Sequence, residues 1–133
     1  MCVDAALALI PDAPEGGRDP QERITALIIP IEAAARTGHG HAVLRVALLA
    51  AADDKEAGEV WRAWVGRDIR QPLRMLLAEL AAKRVIRRDF ELDDVMEQLL
   101  GPLFHRLTIS RAPIKEGFCA EQATAFLRTY AQF

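Results

Sequence analysis

Several features that define whole classes of protein are scarce or absent in this sequence of 133 residues. Its two cysteines, Cys2 and Cys119, lie far apart without metal-spaced neighbours, which fits a reducing cytoplasm better than a disulfide scaffold. No apolar run reaches the ~20 residues that a membrane-spanning helix requires, and the amino-terminal segment lacks the basic start of a signal peptide. Strand signals are also nearly absent. The sequence therefore favours an all-helical, soluble, cytoplasmic protein.

An excess of positive charge is missing as well. The chain has 17 Lys and Arg against 19 Asp and Glu, for a net charge of −2 and a pI of about 5.9. Because DNA affinity depends on neutralising phosphates with a basic face, we predict that this chain alone does not bind duplex DNA specifically. Apolar residues make up 51% of the sequence, and the mean hydropathy is +0.05, which excludes a disordered chain. We expect residues 1–133 to form a single domain with a substantial core.

Apolar residues spaced by three and four positions predict amphipathic helices along most of the chain. The longest helix starts near Trp61, and another follows a basic corner at residues 83–88. Pro72 and Pro102 lie inside these two helices, and Pro30 lies inside an earlier one. A proline inside a helix removes a backbone donor and crowds the preceding turn, so we expect all three helices to be bent.

The remaining segments are also predicted to be helical. Residues 1–18 read as the tail of a helix followed by a loop, and Asp19 is a good N-cap for a helix that ends near residue 36. Residues 41–52 are apolar on nearly every side, which is typical of a central helix surrounded by others. The last helix is expected at residues 115–132.

The last two helices carry more apolar surface than one core needs. On a helical wheel, their apolar arcs extend beyond the width of a core-facing stripe, and small residues stand beside large ones. Such a surplus indicates a partner subunit. The predicted dimer interface comprises Leu100, Gly101, Phe104, Thr108, Phe118, Ala123 and Leu127.

This arrangement resembles the C-terminal domain of TetR-family transcriptional regulators. The resemblance lies in the order LRMLLAELAAKRVIRRDFELDDVMEQLLGPLFHRL, then a proline-containing turn SRAPIKEGF, then a final amphipathic helix. Its most specific pieces are Pro72, the acidic start DFELDD and the GPLFHR run, and it covers residues 61–130 best. The resemblance implies an all-α domain with an effector pocket among its inner helices. It also implies a homodimer, formed when the last two helices of each subunit build a four-helix bundle.

The chain departs from that family in one respect. The family reads DNA with an N-terminal helix-turn-helix domain, and nothing in this sequence resembles it. We therefore expect an excised domain or a truncated family member, which would contact DNA only through a helix-turn-helix domain absent from this chain. The effector-binding domains of the family diverge so widely that no ligand residues can be transferred to this sequence.

One flank of the long helix has the composition of a ligand pocket. Trp61, Trp64, Asp68, Met75 and Glu79 line up there, which combines an apolar wall with a few polar groups. The alternative is that the tryptophans are core residues and the acids form salt bridges. The predicted ligand-binding residues are Trp61, Trp64, Asp68, Met75, Met96, Leu99, Leu103 and Arg106.

Arg106 needs a partner because it lies beside core positions. We expect an internal carboxylate such as Asp68 or Glu79, with an anionic ligand as the alternative.

The sequence gives little indication of a metal-binding site or of a catalytic site. His39, His41 and His105 have no flanking ligands at metal-binding spacing, and Ser110 lacks a nearby base with an orienting acid. No glycine-rich phosphate loop occurs, and we expect no cofactor and no enzymatic activity.

The sequence thus predicts the effector-binding and dimerisation domain of a TetR-like repressor that responds to a hydrophobic small molecule. The main alternative is a stand-alone helical homodimerisation module without a ligand.

Overall fold

Helices make up most of the part of the chain that this computed structural model describes, residues 2–14 and 19–131. No strand occurs within these ranges, so the prediction of an all-α fold is confirmed. No helix in the same ranges combines the length and the hydropathy that a bilayer crossing requires. The helices are α1 (Cys2–Leu9), α2 (Pro20–Ala35), α3 (Gly38–Asp53), α4 (Lys55–Val65), a π turn (Gly66–Arg70), α5 (Gln71–Ala82), α6 (Leu92–Thr108) and α7 (Phe118–Tyr130).

The helix predicted from Trp61 onward is continuous through α4, the π turn and α5. The Gln71 N–H donates to the Gly66 carbonyl, five residues back, which is the π pattern. Pro72 follows at once and has no N–H to donate, so the irregularity expected at this proline takes the form of a π turn before it. The extra residue displaces the faces of α5 by roughly 100° relative to an unbroken α-helix.

The most deeply buried helix is α2. The prediction that other helices surround residues 41–52 on nearly every side is wrong, although α3 does pack against α1, α2, α4 and α6. On α3 only Gly40, Leu44 and Ala47 are buried, and Val46 and Leu49 are 50% and 52% exposed. The helices of a chain this short are too few to cover every face of α3, so an all-round apolar sequence does not ensure all-round burial. On α2, by contrast, Ile24, Ile28 and Ile31 are almost fully buried, at spacings of three and four residues.

A buried carboxylate on α2 holds the start of α7. Glu32 is 2% exposed, and its Oε1 accepts a hydrogen bond from the Cys119 backbone N–H at 2.8 Å. This N–H belongs to the first turn of α7, where it has no acceptor within the helix, and a negative group there also suits the helix dipole. Gly117 precedes the helix in a left-handed conformation (φ +92°), so α7 begins at Phe118 and not at residue 115 as predicted. The end predicted at residue 132 lies outside the described residues.

The Cys119 thiol is part of the same junction. It is 1% exposed, and its Sγ lies 3.7 Å from the Ile28 carbonyl oxygen. The pKa of the Cys119 thiol is raised to about 12, mainly because burial removes water from the thiol. The negative charge of the nearby Glu32 is the second cause. The thiol therefore stays protonated at physiological pH, which makes it a packing residue and not a nucleophile.

The helix starts differ in detail from their predictions. Asp19 has the extended backbone of an N-cap, but its side chain makes no capping hydrogen bond. For α3 the cap is Thr37, whose Oγ1 accepts from the Gly40 N–H at 2.9 Å. Gly38, His39 and Gly40, which lie between the two helices predicted from the sequence, therefore form the first turn of α3. The helix tail expected in residues 1–18 is α1, and residues 15–18 of that segment lie outside the described part.

Candidate functional site

An open apolar cleft of about 430 Å³ lies between the α4–π segment and α6. Its rim carries Arg62, Arg70 and Glu97. Its size is within the ~300–1,000 Å³ range of small-molecule pockets. The apolar walls come from Trp61, Val65, Met96, Leu100, Gly101 and Phe104.

Aromatic rings form one wall of this cleft. The Trp61 ring meets the Phe104 ring edge to face, with centroids 6.0 Å apart. Trp64 stacks at a tilt on Trp61 with a centroid separation of 5.5 Å and does not itself line the cleft. Aromatic pairs at these separations gain energy beyond simple area burial, so Trp61 is held from two directions.

Arg70 is one of the three polar residues at the rim of the cleft. Its guanidinium pairs with the Asp93 carboxylate at the start of α6, and its Nη1 also lies 3.8 Å from the Met96 sulfur. The Arg70 and Asp93 side chains are 43% and 74% exposed, so solvent screens the pair and the bond is easily exchanged. Sequence reasoning missed Arg70 because nine residues at about 100° each place it opposite Trp61 on an unbroken α-helix.

The structure divides the predicted ligand-binding residues into three groups. Trp61 and Met96 line the cleft. Trp64, Leu99 and Leu103 are buried in the core beside it. The remaining three, Asp68, Met75 and Arg106, lie elsewhere.

The structure shows what each of those three residues contacts instead. Asp68 pairs with Arg67 on the surface at 2.8 Å. Met75 is 74% exposed and lies on the α2 side of α5, because the π turn rotates α5 away from the Trp61 flank. Arg106 stacks over the Phe118 ring at 4.7 Å and donates to the Pro113 carbonyl at 3.2 Å. Its partners are therefore internal, as expected, but neither is a carboxylate.

Glu79, the other acid on the predicted flank, ties α5 to α2. It pairs with Arg23 and with Lys83, and the Lys83 contact is 3.0 Å. The hydrogen bonds from Arg23 and then Lys83 lower the pKa of Glu79 to about 2. This acid therefore serves a salt-bridge network, which was the alternative reading of that flank.

The predicted dimer residues fall into two groups. Leu100, Phe118 and Ala123 are buried within the chain's own core, while Gly101, Phe104, Thr108 and Leu127 stay partly exposed. Leu100, Gly101 and Phe104 also line the cleft. The structure thus brings together residues that the sequence had assigned to two separate sites.

Two further observations bear on alternative sites. A smaller apolar groove of about 320 Å³ lies between α1 and α3 and is lined by Ala5, Ala42, Val43 and Val46. Within the described ranges, no group of three or more His, Cys, Asp or Glu side chains is placed to hold a metal ion.

Comparison with models of known protein families gives a match over most of the chain. A family model described as tetracyclin repressor-like, C-terminal domain, matches residues 14–126. No curated protein and no solved structure matches the chain significantly.

Proposed function

The chain belongs to the tetracyclin repressor-like C-terminal domain family, and we propose that it binds a hydrophobic effector and dimerises within a TetR-like transcriptional repressor. Domains of this family serve regulators as ligand-binding and dimerisation domains. We further propose that this domain is not enzymatic, acts in the cytoplasm and reaches DNA only through a helix-turn-helix domain outside this chain.

The α4–α6 cleft carries the effector proposal. It is a concave surface of about 430 Å³ whose walls are mainly apolar and aromatic, with Arg62, Arg70 and Glu97 as the polar groups of its rim. Met96 adds an adaptable thioether that can reshape to different ligands. An uncharged, largely hydrophobic molecule that fits beside Trp61 and Phe104 matches these walls best.

The position of the cleft suggests how a ligand could act on the dimer. Gly101 and Phe104 contribute to the cleft and also lie on the partly exposed face of α6, which is proposed for dimerisation. A ligand wedged between α4 and α6 would favour one position of α6 over another. A ligand that binds one position of α6 more tightly than the other shifts the equilibrium between the two positions, and with it the relative position of the subunits.

Binding at the cleft should be visible through the chain's two tryptophans, Trp61 and Trp64. We expect N-phenyl-1-naphthylamine, an uncharged hydrophobic dye, to quench their emission by energy transfer and to saturate at one dye per chain. The measurement is a fluorescence titration with excitation of tryptophan. Transfer that grows linearly with dye and never saturates would contradict a defined site.

Replacement of Phe104 by arginine should weaken the proposed dimer. We expect the wild-type chain to scatter light with twice the chain mass of 14.7 kDa at micromolar concentration. Phe104→Arg should shift the mass toward the monomer, because an unpaired charge would be buried at the interface. Thr129→Arg, on the exposed side of α7, adds the same charge outside the interface and is the matched control.

Circular dichroism should show that both variants keep the helical content of the wild type. A monomeric wild type, or an equal loss of mass in both variants, would contradict this interface. A stable dimer without any dye binding would favour the alternative of a homodimerisation module that has no ligand.

A further inference from the structure

A second pocket lies where the α2–α3 turn meets the connection between α6 and α7. It has a volume of about 370 Å³, and four basic side chains line it: Arg36, His41, Arg45 and Arg111. They come from the end of α2, from α3 and from the α6–α7 connection, and no carboxylate is among the lining residues. The chain as a whole carries a net charge of −2, so this concentration of positive charge is local and does not reflect the composition.

The arginines of this pocket are poorly neutralised by the protein itself. Arg36 pairs with Glu116 at 3.5 Å, but the Glu116 side chain is 86% exposed, so the pair is weak and open to competition. The side chains of Arg45 and Arg111 form no hydrogen bond and no ion pair with any residue in the ranges 2–14 and 19–131. Two guanidinium groups in one concavity without an acidic partner repel each other, and a bound anion would relieve that repulsion.

His41 is oriented by a contact of its own. Its Nε2 lies 3.1 Å from the Ala112 carbonyl oxygen, and since a carbonyl can only accept, Nε2 carries the proton. This bond ties α3 to the same connection that carries Arg111. The hydrogen bond therefore joins the two elements that carry Arg45 and Arg111, which are α3 and the α6–α7 connection.

We propose that this pocket binds a small phosphate-type oxyanion, either inorganic phosphate or the phosphate group of a small monoester. Guanidinium groups bind phosphate oxygens with two parallel hydrogen bonds. A tetrahedral dianion can contact more than one of them at once, which a planar monoanionic carboxylate does less well. The site is separate from the α4–α6 cleft and shares none of its lining residues.

The direct test is isothermal titration calorimetry of the full chain with inorganic phosphate, in a buffer whose ionic strength is held constant with chloride. We expect one site per chain. Arg45→Gln and Arg111→Gln should each weaken phosphate binding at least tenfold. Arg74→Gln removes an exposed arginine outside the pocket and should leave the affinity unchanged.

Thermal unfolding gives a second readout that does not depend on binding heat. Saturating phosphate should raise the Tm of the wild type and of Arg74→Gln by roughly 4 °C or more over equal ionic strength of chloride, by linkage to the folded state. The rise should be lost in the two pocket variants, and their Tm in chloride alone reports whether they fold.

Three outcomes would overturn the proposal. Phosphate could have no more effect than chloride, or Arg74→Gln could lose binding as much as the pocket variants do. A short DNA duplex could also bind with dependence on Arg45 and Arg111 where phosphate does not, which would assign the pocket to nucleic acid. A phosphate monoester that binds more tightly than inorganic phosphate would support the proposal and narrow the ligand class.

Discussion

Replacement of Gly40 by alanine is expected to lower the free energy of unfolding by about 3 kcal/mol or more. A Cβ atom at position 40 would stand 1.8 Å from the Ala34 carbonyl oxygen and 2.9 Å from the Ala34 carbonyl carbon. Both are backbone atoms, so no side-chain rotation can relieve the contact. The first turn of α3 would have to move away from the last turn of α2, and packing on both helices would be lost.

Gly38, two residues earlier, provides the matched control. A Cβ atom there would meet nothing within 4 Å. Alanine is the better helix former, so Gly38→Ala should be neutral or stabilising by up to about 1 kcal/mol. The measurement is urea unfolding followed by circular dichroism, with the two variants compared at equal m-values. Equal stability of Gly40→Ala and Gly38→Ala would show that α2 and α3 do not approach as closely as described.

Replacement of Gly101 by leucine should block the α4–α6 cleft without harming the fold. Gly101 lines the cleft at the middle of α6, and a Cβ atom there would meet nothing within 4 Å. A leucine side chain can therefore enter space that the proposed effector would use. We expect the affinity for N-phenyl-1-naphthylamine to fall at least tenfold, while stability rises by up to about 1 kcal/mol because glycine is a poor helix former.

The control for this substitution is Ala125→Leu, which adds apolar bulk on the exposed side of α7, away from the cleft. It should bind the dye as the wild type does. Light scattering on Gly101→Leu is needed beside the titration, because Gly101 also lies on the proposed dimer face. Undiminished dye binding by a folded Gly101→Leu variant would place the dye site elsewhere.

The helices of this protein could be predicted from sequence because apolar spacing records which face of each helix is buried. The positions Leu73, Leu77 and Leu80 are almost fully buried, as their spacing indicates. The pattern carries no information about a change of helical pitch, however. The π turn before Pro72 rotates α5, which is why Met75 faces solvent while Trp61 lines the cleft.

The wide apolar arc on α7 shows a second limit of sequence reasoning. A helical wheel predicts that an arc is covered, but it cannot tell whether the cover is another helix of the same chain or a second subunit. Here α2 contacts the start of α7, through the Glu32 bond to Cys119 and a 3.1 Å bond from Gln21 to the Ala120 carbonyl. Phe118 and Ala123 are consequently buried within the chain, so less of α7 remains for a partner.

The cleft and the second pocket were predictable only in part, because a sequence pattern does not show which distant residues the fold brings together. Trp61 and Met96 were found because a large aromatic ring and a thioether are typical of ligand pockets. Arg111 is far in sequence from Arg36, His41 and Arg45, and each of these residues alone looks like an ordinary surface residue. Only the tertiary arrangement brings Arg36, Arg45 and Arg111 into one concavity.

The central claim is that a hydrophobic effector binds between α4 and α6, and its most direct test is a ¹H–¹⁵N spectrum recorded during titration with N-phenyl-1-naphthylamine. We predict that the indole N–H signals of Trp61 and Trp64 and the amide signals of Gly66 and Gly101 shift most and saturate together. The competing apolar surface is the groove between α1 and α3. Shifts confined to that groove, around Ala5, Val43 and Val46, with both indole signals unmoved, would contradict the account.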